Sequence, residues 1–217
     1  MGEKAKVAVV VDFHPYDVVN FQKMFESFDG CECYIQPLSL FILDRDNKDW
    51  YDTVVYYNMN KPTPKAGGAL EKYVLNEMGA KKQGMVFLHH ALLSFETWAP
   101  FTEICGLADR GGGEKFKYTQ NENVNVFIAG AAHPITAGAE DFSLIDETYV
   151  LDEPDVPGNQ ILLTTDSETS VKSIGWARQY KNSRVFCFAS GHDNRAFANP
   201  GFRKVLGNAI LWAAGAI

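Results

Sequence analysis

A chain of 217 residues with 46% hydrophobic content can bury a full core, and no Pro/Ser-rich linker or charge block divides it, so residues 1–217 are expected to form one domain. A net charge of −7 with scattered basic residues repels a phosphate backbone and argues against nucleic acid. No apolar run is long enough to cross a bilayer and no signal-peptide core opens the chain, which points to a cytoplasmic protein with no membrane partner, while leaving room for a homo-oligomer.

Lys6 to Asp12 is a nearly unbroken β-branched run of the kind found in strands covered on both faces, and His14-Pro15 follows it at once. Val18, Val19, Phe21, Phe25 and Phe28 form a helix-like apolar pattern closing at Asp29-Gly30, and a second strand runs from Cys31 to Leu38. This is a first βαβ unit. Residues 43–52 are a polar connection with Trp50 as a packing anchor. The strand pattern returns from Asp52 to Met59 with Asn58 at its end. Thr63-Pro64 then opens a helix carrying Leu70, Tyr73, Val74 and Met78 toward the core, stopped by Gly79.

Gly84 to Leu88 is another buried strand and finishes in His89-His90. Trp98, Phe101, Ile104 and Cys105 fit the inner face of a short helix that starts near Pro100 and ends at Gly106. Gly111-Gly112-Gly113 is a flexible break with no preceding strand and no following Lys-Ser/Thr, so it is no nucleotide loop. Lys115 to Gln120 and Val124 to Ile128 alternate around Asn121-Glu122-Asn123, the pattern of a hairpin or of paired edge strands. A loop containing His133 precedes strands at Phe142 to Leu151, Ile161 to Thr165 and Ser173 to Ala177.

The last unit is the most informative. Val185 to Ala189 is apolar, gives out at Ser190-Gly191, and delivers His192 and Asp193 side by side. Asn194 completes the turn. Asn199 is then an N-cap with Pro200 at the first helical position, and Phe202, Val205, Leu206, Ala209, Ile210 and Ala213 keep one apolar face until Gly215. The predicted fold is an α/β three-layer sandwich, a mostly parallel flavodoxin-like sheet with an antiparallel extension. Ligands of such sheets bind outside the carboxyl ends of the strands.

The carboxyl half resembles the ThuA-like trehalose-utilisation family, within the class I glutamine amidotransferase-like fold. The resemblance rests on GMVFLHHALLSFETW at 84–98, AAHPITAG at 131–138, DETYVLD at 146–152, GWARQY at 175–180 and RVFCFASGHDNRAFANPGFRKVLGNAILWAAG at 184–215. It implies a role in handling a small sugar, by analogy trehalose or an oxidised disaccharide. Amidotransferases of this fold place a nucleophilic cysteine at the turn after the strand that corresponds to Gly84 to Leu88. Here that turn carries His89-His90, and Cys105 lies well beyond it, so glutamine hydrolysis by a Cys-His pair is not expected.

Every histidine of this chain, His14, His89, His90, His133 and His192, falls at a predicted strand end or in a loop. An imidazole with an unperturbed pKa of about 6.5 can accept and donate a proton near neutral pH, which makes His192 and His90, with Asp193, the candidate catalytic groups. Adjacent residues rarely face each other, so Asp12, Asp146 and Glu147 are the other carboxylates that could orient a histidine. His14, Asn58, His89, His133, Glu147 and Asn194 are candidate substrate contacts, with Trp98, Phe13 and Tyr149 as aromatic faces for a sugar. A divalent metal such as zinc, held by His14, His90 and His192, is a variant of the same reading, although no tight ligand spacing such as H-E-x-x-H is present. No other cofactor is implied. The cysteines Cys31, Cys33, Cys105 and Cys187 lack zinc-finger or disulfide-framework spacing and read as core thiols. Two function classes follow: an enzyme using histidine acid/base chemistry on a carbohydrate, and a non-catalytic sugar-binding or regulatory protein.

Overall fold

The structure is a computed structural model that describes residues 3–95, 97–107, 117–130 and 132–217. The Gly111-Gly112-Gly113 break and the first residues of the strand expected from Lys115 lie outside them. The chain runs β1 (Ala5–Asp12), α1 (Val18–Glu26), β2 (Cys31–Pro37), α2 (Leu38–Phe41), β3 (Thr53–Asn58), α3 (Ala69–Lys72), β4 (Gly84–Leu88) and α4 (Ala99–Cys105). It continues as β5 (Lys117–Ile128), β6 (Phe142–Val150), β7 (Gln160–Thr164), β8 (Ser173–Tyr180), β9 (Ser183–Phe188), α5 (Asn194–Ala198) and α6 (Pro200–Ala214). The strands form one sheet in the order β2-β1-β3-β4-β9-β8-β7-β5-β6. The first five are parallel, which is the flavodoxin-like order, and the remaining pairings are antiparallel. The expected parallel core with an antiparallel extension is therefore the observed fold.

Neighbouring residues on a strand face opposite ways, and this puts a helical layer on each side of the parallel core. Tyr57 and Phe188 pack on Phe21 of α1 and Phe202 of α6. Tyr56 and Phe87 stack on each other, Tyr56 reaching Tyr73 and Phe87 reaching Phe101 of α4. Residues of β1, β3, β4 and β9 are almost all buried, as their continuous apolar runs require. In α6, Asn199 caps the first turn by accepting from the Phe202 N–H (3.1 Å), with Pro200 at the first position. Among the described residues no helix is long and apolar enough to cross a membrane.

Four local expectations differ from the structure. The helix expected from Thr63-Pro64 starts only at Ala69, because Gly67 takes a left-handed φ of 73° and its N–H is held by the Glu71 carboxylate (2.6 Å); the helix then ends in a π-helical turn, Tyr73–Glu77. The hairpin expected around Asn121 is one continuous strand, β5, with a register shift against β6 between Thr119 and Glu122; Asn121, at φ 62°, forms a bulge instead of a turn. Val18 and Val19 are exposed rather than core-facing, since Asp17 caps α1 and the buried face is set by Phe21, Met24 and Phe25. Trp50 is likewise exposed, lying against Tyr34 and under the Lys6 ammonium at the surface.

The β5–β6 ribbon matters for the site. It joins the sheet through only Phe127 and Ile128 against β7, and β6 packs on α5. The ribbon brings Glu147 and Tyr149 of β6 to the carboxyl ends of the parallel strands, where they meet His89 and His192.

Candidate functional site

Parallel strands put their carboxyl ends on one edge. β1 ends in Phe13 and His14, β3 in Asn58, β4 in His89 and His90, and β9 leads through Ser190-Gly191 to His192. His14 stacks on His90 with ring centroids 4.1 Å apart and meets His192 edge-on at 5.9 Å; His89 lies 5.2 Å from His192. From β6, Glu147 and Tyr149, two residues apart and so on one face, reach into the same group.

The contacts have a definite order. His89 Nδ1 lies 2.8 Å from the Ala189 carbonyl, so that nitrogen carries a proton and Nε2 is the one turned to the other groups. His89 Nε2 faces the Tyr149 hydroxyl at 2.6 Å and His192 Nδ1 at 3.2 Å. Glu147 Oε1 lies 3.6 Å from His89 Nε2 and 3.7 Å from His192 Nδ1, ion-pair rather than hydrogen-bond distances, while Gln120 donates to Glu147 Oε2 at 3.0 Å. Burial pushes the Glu147 carboxyl up, but His89, with Gln120 and Tyr149, outweighs it and brings the group down to about 2. Glu147 is thus an anion at any physiological pH.

The backbone around these rings is held rigidly. Asp146, fully buried, accepts from the N–H groups of Gly191 (2.7 Å), His192 (2.9 Å) and Glu147 (3.0 Å), and the Tyr57 hydroxyl donates to the Gly191 and His192 carbonyls. Gly191 sits at φ 118°, and a Cβ there would press on Phe202 at 3.0 Å, so the turn needs glycine. His89 itself has φ 52°, a left-handed conformation that is strained for a residue with a side chain. His90 goes the other way. Its Nε2 donates to the Tyr57 carbonyl at 3.0 Å, it is fully buried, and burial holds its pKa well below the ordinary value, so it is neutral. His14 is half-buried, and burial and the neighbouring His89 lower its pKa also.

His14, Glu147, Tyr149 and His192 line an open cleft of about 340 Å³, together with Phe13, Lys61, Tyr118 and Gln120, and His89 and His90 lie buried beneath it. Phe13 and Tyr118, 71% and 59% exposed, are among its lining residues. A larger cavity, about 560 Å³, lies on the other side of the fold among Lys48, Tyr56, Tyr73 and Glu77. Lys48 and Lys81 there are paired with Glu77 and Asp49 and its lining holds no histidine, so the acid/base chemistry points to the smaller cleft.

The remaining residues singled out from sequence fall elsewhere. Asp193 caps α5 through the Arg195 N–H (2.8 Å) and is ion-paired with the Arg195 guanidinium, so its carboxylate is engaged at the start of α5. Asn194 donates to Asp17 at 2.9 Å on the surface, and Asp12 accepts the Ser39 N–H at 2.9 Å. Asn58 is buried beneath the cleft, bonded to Asn60 and Ser94. Trp98 packs on Phe95 and is absent from the cleft walls. His133 caps a short 3₁₀ turn, lies against Trp212, and sits near Arg184 at the opposite, amino-terminal end of β9. Cys105 and Cys187 are fully buried, with the Cys187 thiol 3.5 Å from the Cys105 carbonyl. Tyr57, Gln120 and the anchoring part of Asp146 were missed. The alternation of β6, which aligns Glu147 with Tyr149, was the one signal that could have pointed to this wall.

The chain matches the family model for ThuA, trehalose utilisation, over residues 38–213. No curated protein matches it. Among solved structures it resembles a ThuA-like protein from Parabacteroides merdae, with 18% identity, a TM-score of 0.75, and coverage of 99% of this chain and 91% of that one. It also resembles a GMP synthase protein from Thermoplasma acidophilum (12% identity, TM-score 0.58, 100% and 97% covered). A third likeness is to a β-galactosidase from Bacillus circulans sp. alkalophilus (13%, TM-score 0.63, 98% of this chain but 31% of that one). At these identities the structural likenesses speak for the fold, the amidotransferase-like sandwich, and the family match covers most of the sequence. The chain belongs to the ThuA, trehalose-utilisation, family.

Proposed function

We propose that this protein is a cytoplasmic enzyme, a single ThuA-like domain, that acts on a small sugar of the trehalose or keto-disaccharide class in the cleft over His14, His89 and His192. The observation that carries the proposal is convergence: imidazoles from three strand ends, an ionised Glu147 and the Tyr149 hydroxyl lie within about one ring of each other on the floor of a cleft. A saccharide offers hydroxyl or carbonyl oxygens for such a floor and an apolar ring face for Phe13 and Tyr118. In this reading Glu147 accepts a hydrogen bond from a sugar hydroxyl, His192 meets the same oxygen, and His14, on the cleft wall, exchanges a proton with it. The four cysteines are free, in keeping with a reducing compartment. His90 and Asp193 act by positioning: His90 supports His14 from below, and Asp193 fixes the start of α5.

Incubation of the purified protein with trehalose, glucosides and their keto derivatives tests the proposal. At least one should be turned over, and His192→Ala should lower that rate about 10²- to 10⁴-fold while changing stability by about 0.5 kcal/mol or less. If binding of a sugar is detected and His192→Ala leaves every rate at the wild-type background, the non-catalytic sugar-binding class replaces the enzyme. If no member of the panel binds or reacts, the sugar assignment itself fails.

A further inference from the structure

We infer that His89, Glu147 and His192 together bind one divalent transition-metal ion, with a position left open toward the cleft. The inference rests on the reading of the cleft as the reaction centre and specifies how that centre polarises an oxygen. His89 Nε2, His192 Nδ1 and Glu147 Oε1 are 3.2, 3.6 and 3.7 Å apart. A point equidistant from atoms so spaced lies about 2.0 Å from each, which is the distance at which zinc takes imidazole nitrogen and carboxylate oxygen, ~2.0–2.2 Å. Three unrelated side chains from β4, β6 and the β9–α5 turn therefore meet at the radius of a first-row ion.

The surroundings are those of a ligand set. A metal-bound histidine commonly donates its second ring nitrogen to a carbonyl, and His89 Nδ1 does so to Ala189. A ligating carboxylate is commonly held by its other oxygen, and Gln120 holds Glu147 Oε2. The His192 backbone is pinned by Asp146 and Tyr57. His89 keeps a strained φ of 52°, which aims its ring before any ligand arrives. Two imidazoles and one carboxylate with an open position are a donor set for Zn²⁺ or Fe²⁺. The Tyr149 hydroxyl lies 2.6 Å from His89 Nε2. An ion would take that nitrogen, and Tyr149 would keep its partner Glu147. His14, which is outside the set, would remain the imidazole free to meet the substrate. The ion would displace the sequence-based trio of His14, His90 and His192, because His90 is turned beneath Tyr57.

Calorimetric titration of the chelator-treated, untagged full chain with Zn²⁺ alone, and with Co²⁺ followed by visible absorption, reads the site without any sugar. The expected result is one ion per chain. Gln120→Leu should weaken Zn²⁺ binding about 10-fold to 100-fold as an outer-shell change, and Glu147→Gln or His192→Ala should weaken it further than that. His133→Ala and His14→Ala should bind as the wild type does. Circular dichroism and the melting temperature establish that each variant is folded, and His192→Ala, on a partly exposed ring, supplies the test should Glu147→Gln fail to fold. Failure of the wild type to bind, or binding undiminished in folded His192→Ala, overturns the metal site. Such a result leaves the sugar assay above to judge the cleft separately, since turnover without an ion would retain the reading and remove only the metal.

Discussion

Asp146 shows how much of the site is backbone architecture. Burial raises its carboxyl from the ordinary value, while His89 and the N–H groups of His192, Gly191 and Glu147 pull against that shift. Replacing it by alanine removes the acceptor of all those buried donors at once, so Asp146→Ala should cost about 3–5 kcal/mol and displace His192. Denaturant unfolding checks the value, and a variant as stable as the wild type would mean that the turn holds itself. The residue scale is also where sequence reading was weakest. His14 and His192 were legible because a histidine just after a buried strand lands on the ligand edge. The acid was not, since Asp193, Asp12, Asp146 and Glu147 are indistinguishable as letters, and the nearest in sequence is occupied in capping α5. Nor could alternation say which of His89 and His90 turns inward, because the left-handed φ of His89 breaks the alternation.

Among the elements, the parallel strands and α6 were read closely because each carries a long, unmixed signal: β-branched runs in β1 and β3, and the Asn199-Pro200 start and Gly215 stop of α6. β5 was misread as two strands because Asn, the residue most tolerant of left-handed backbone after glycine, serves a bulge as readily as a turn. The bulge makes a specific demand. With φ 62° at Asn121, Asn121→Gly should leave stability nearly unchanged, whereas Asn121→Val should lower it by about 1–2 kcal/mol. Equal stability of the two variants in thermal melts would place the strain elsewhere. The bulge lies one residue from Gln120, so the bent ribbon and the Glu147 wall are parts of one device.

For the whole molecule, the cleft is built between the two halves of the sheet. The parallel half contributes the histidines, and the antiparallel extension folds back to contribute Glu147, Tyr149, Gln120 and Tyr118. The order of strands could be guessed from the family resemblance; the fold-back could not, because it depends on how few residues join β5 to β7. The same arrangement supplies an internal control, since His133 sits at the far end of the sheet beside Trp212. The most direct test of the account is therefore the ¹⁵N-edited spectrum of the histidine rings, recorded as trehalose and its keto derivative are added. The account predicts that the ring signals of His14, His89 and His192 move together and saturably while that of His133 stays in place. Saturable movement of His133 with the cleft histidines unchanged would contradict it.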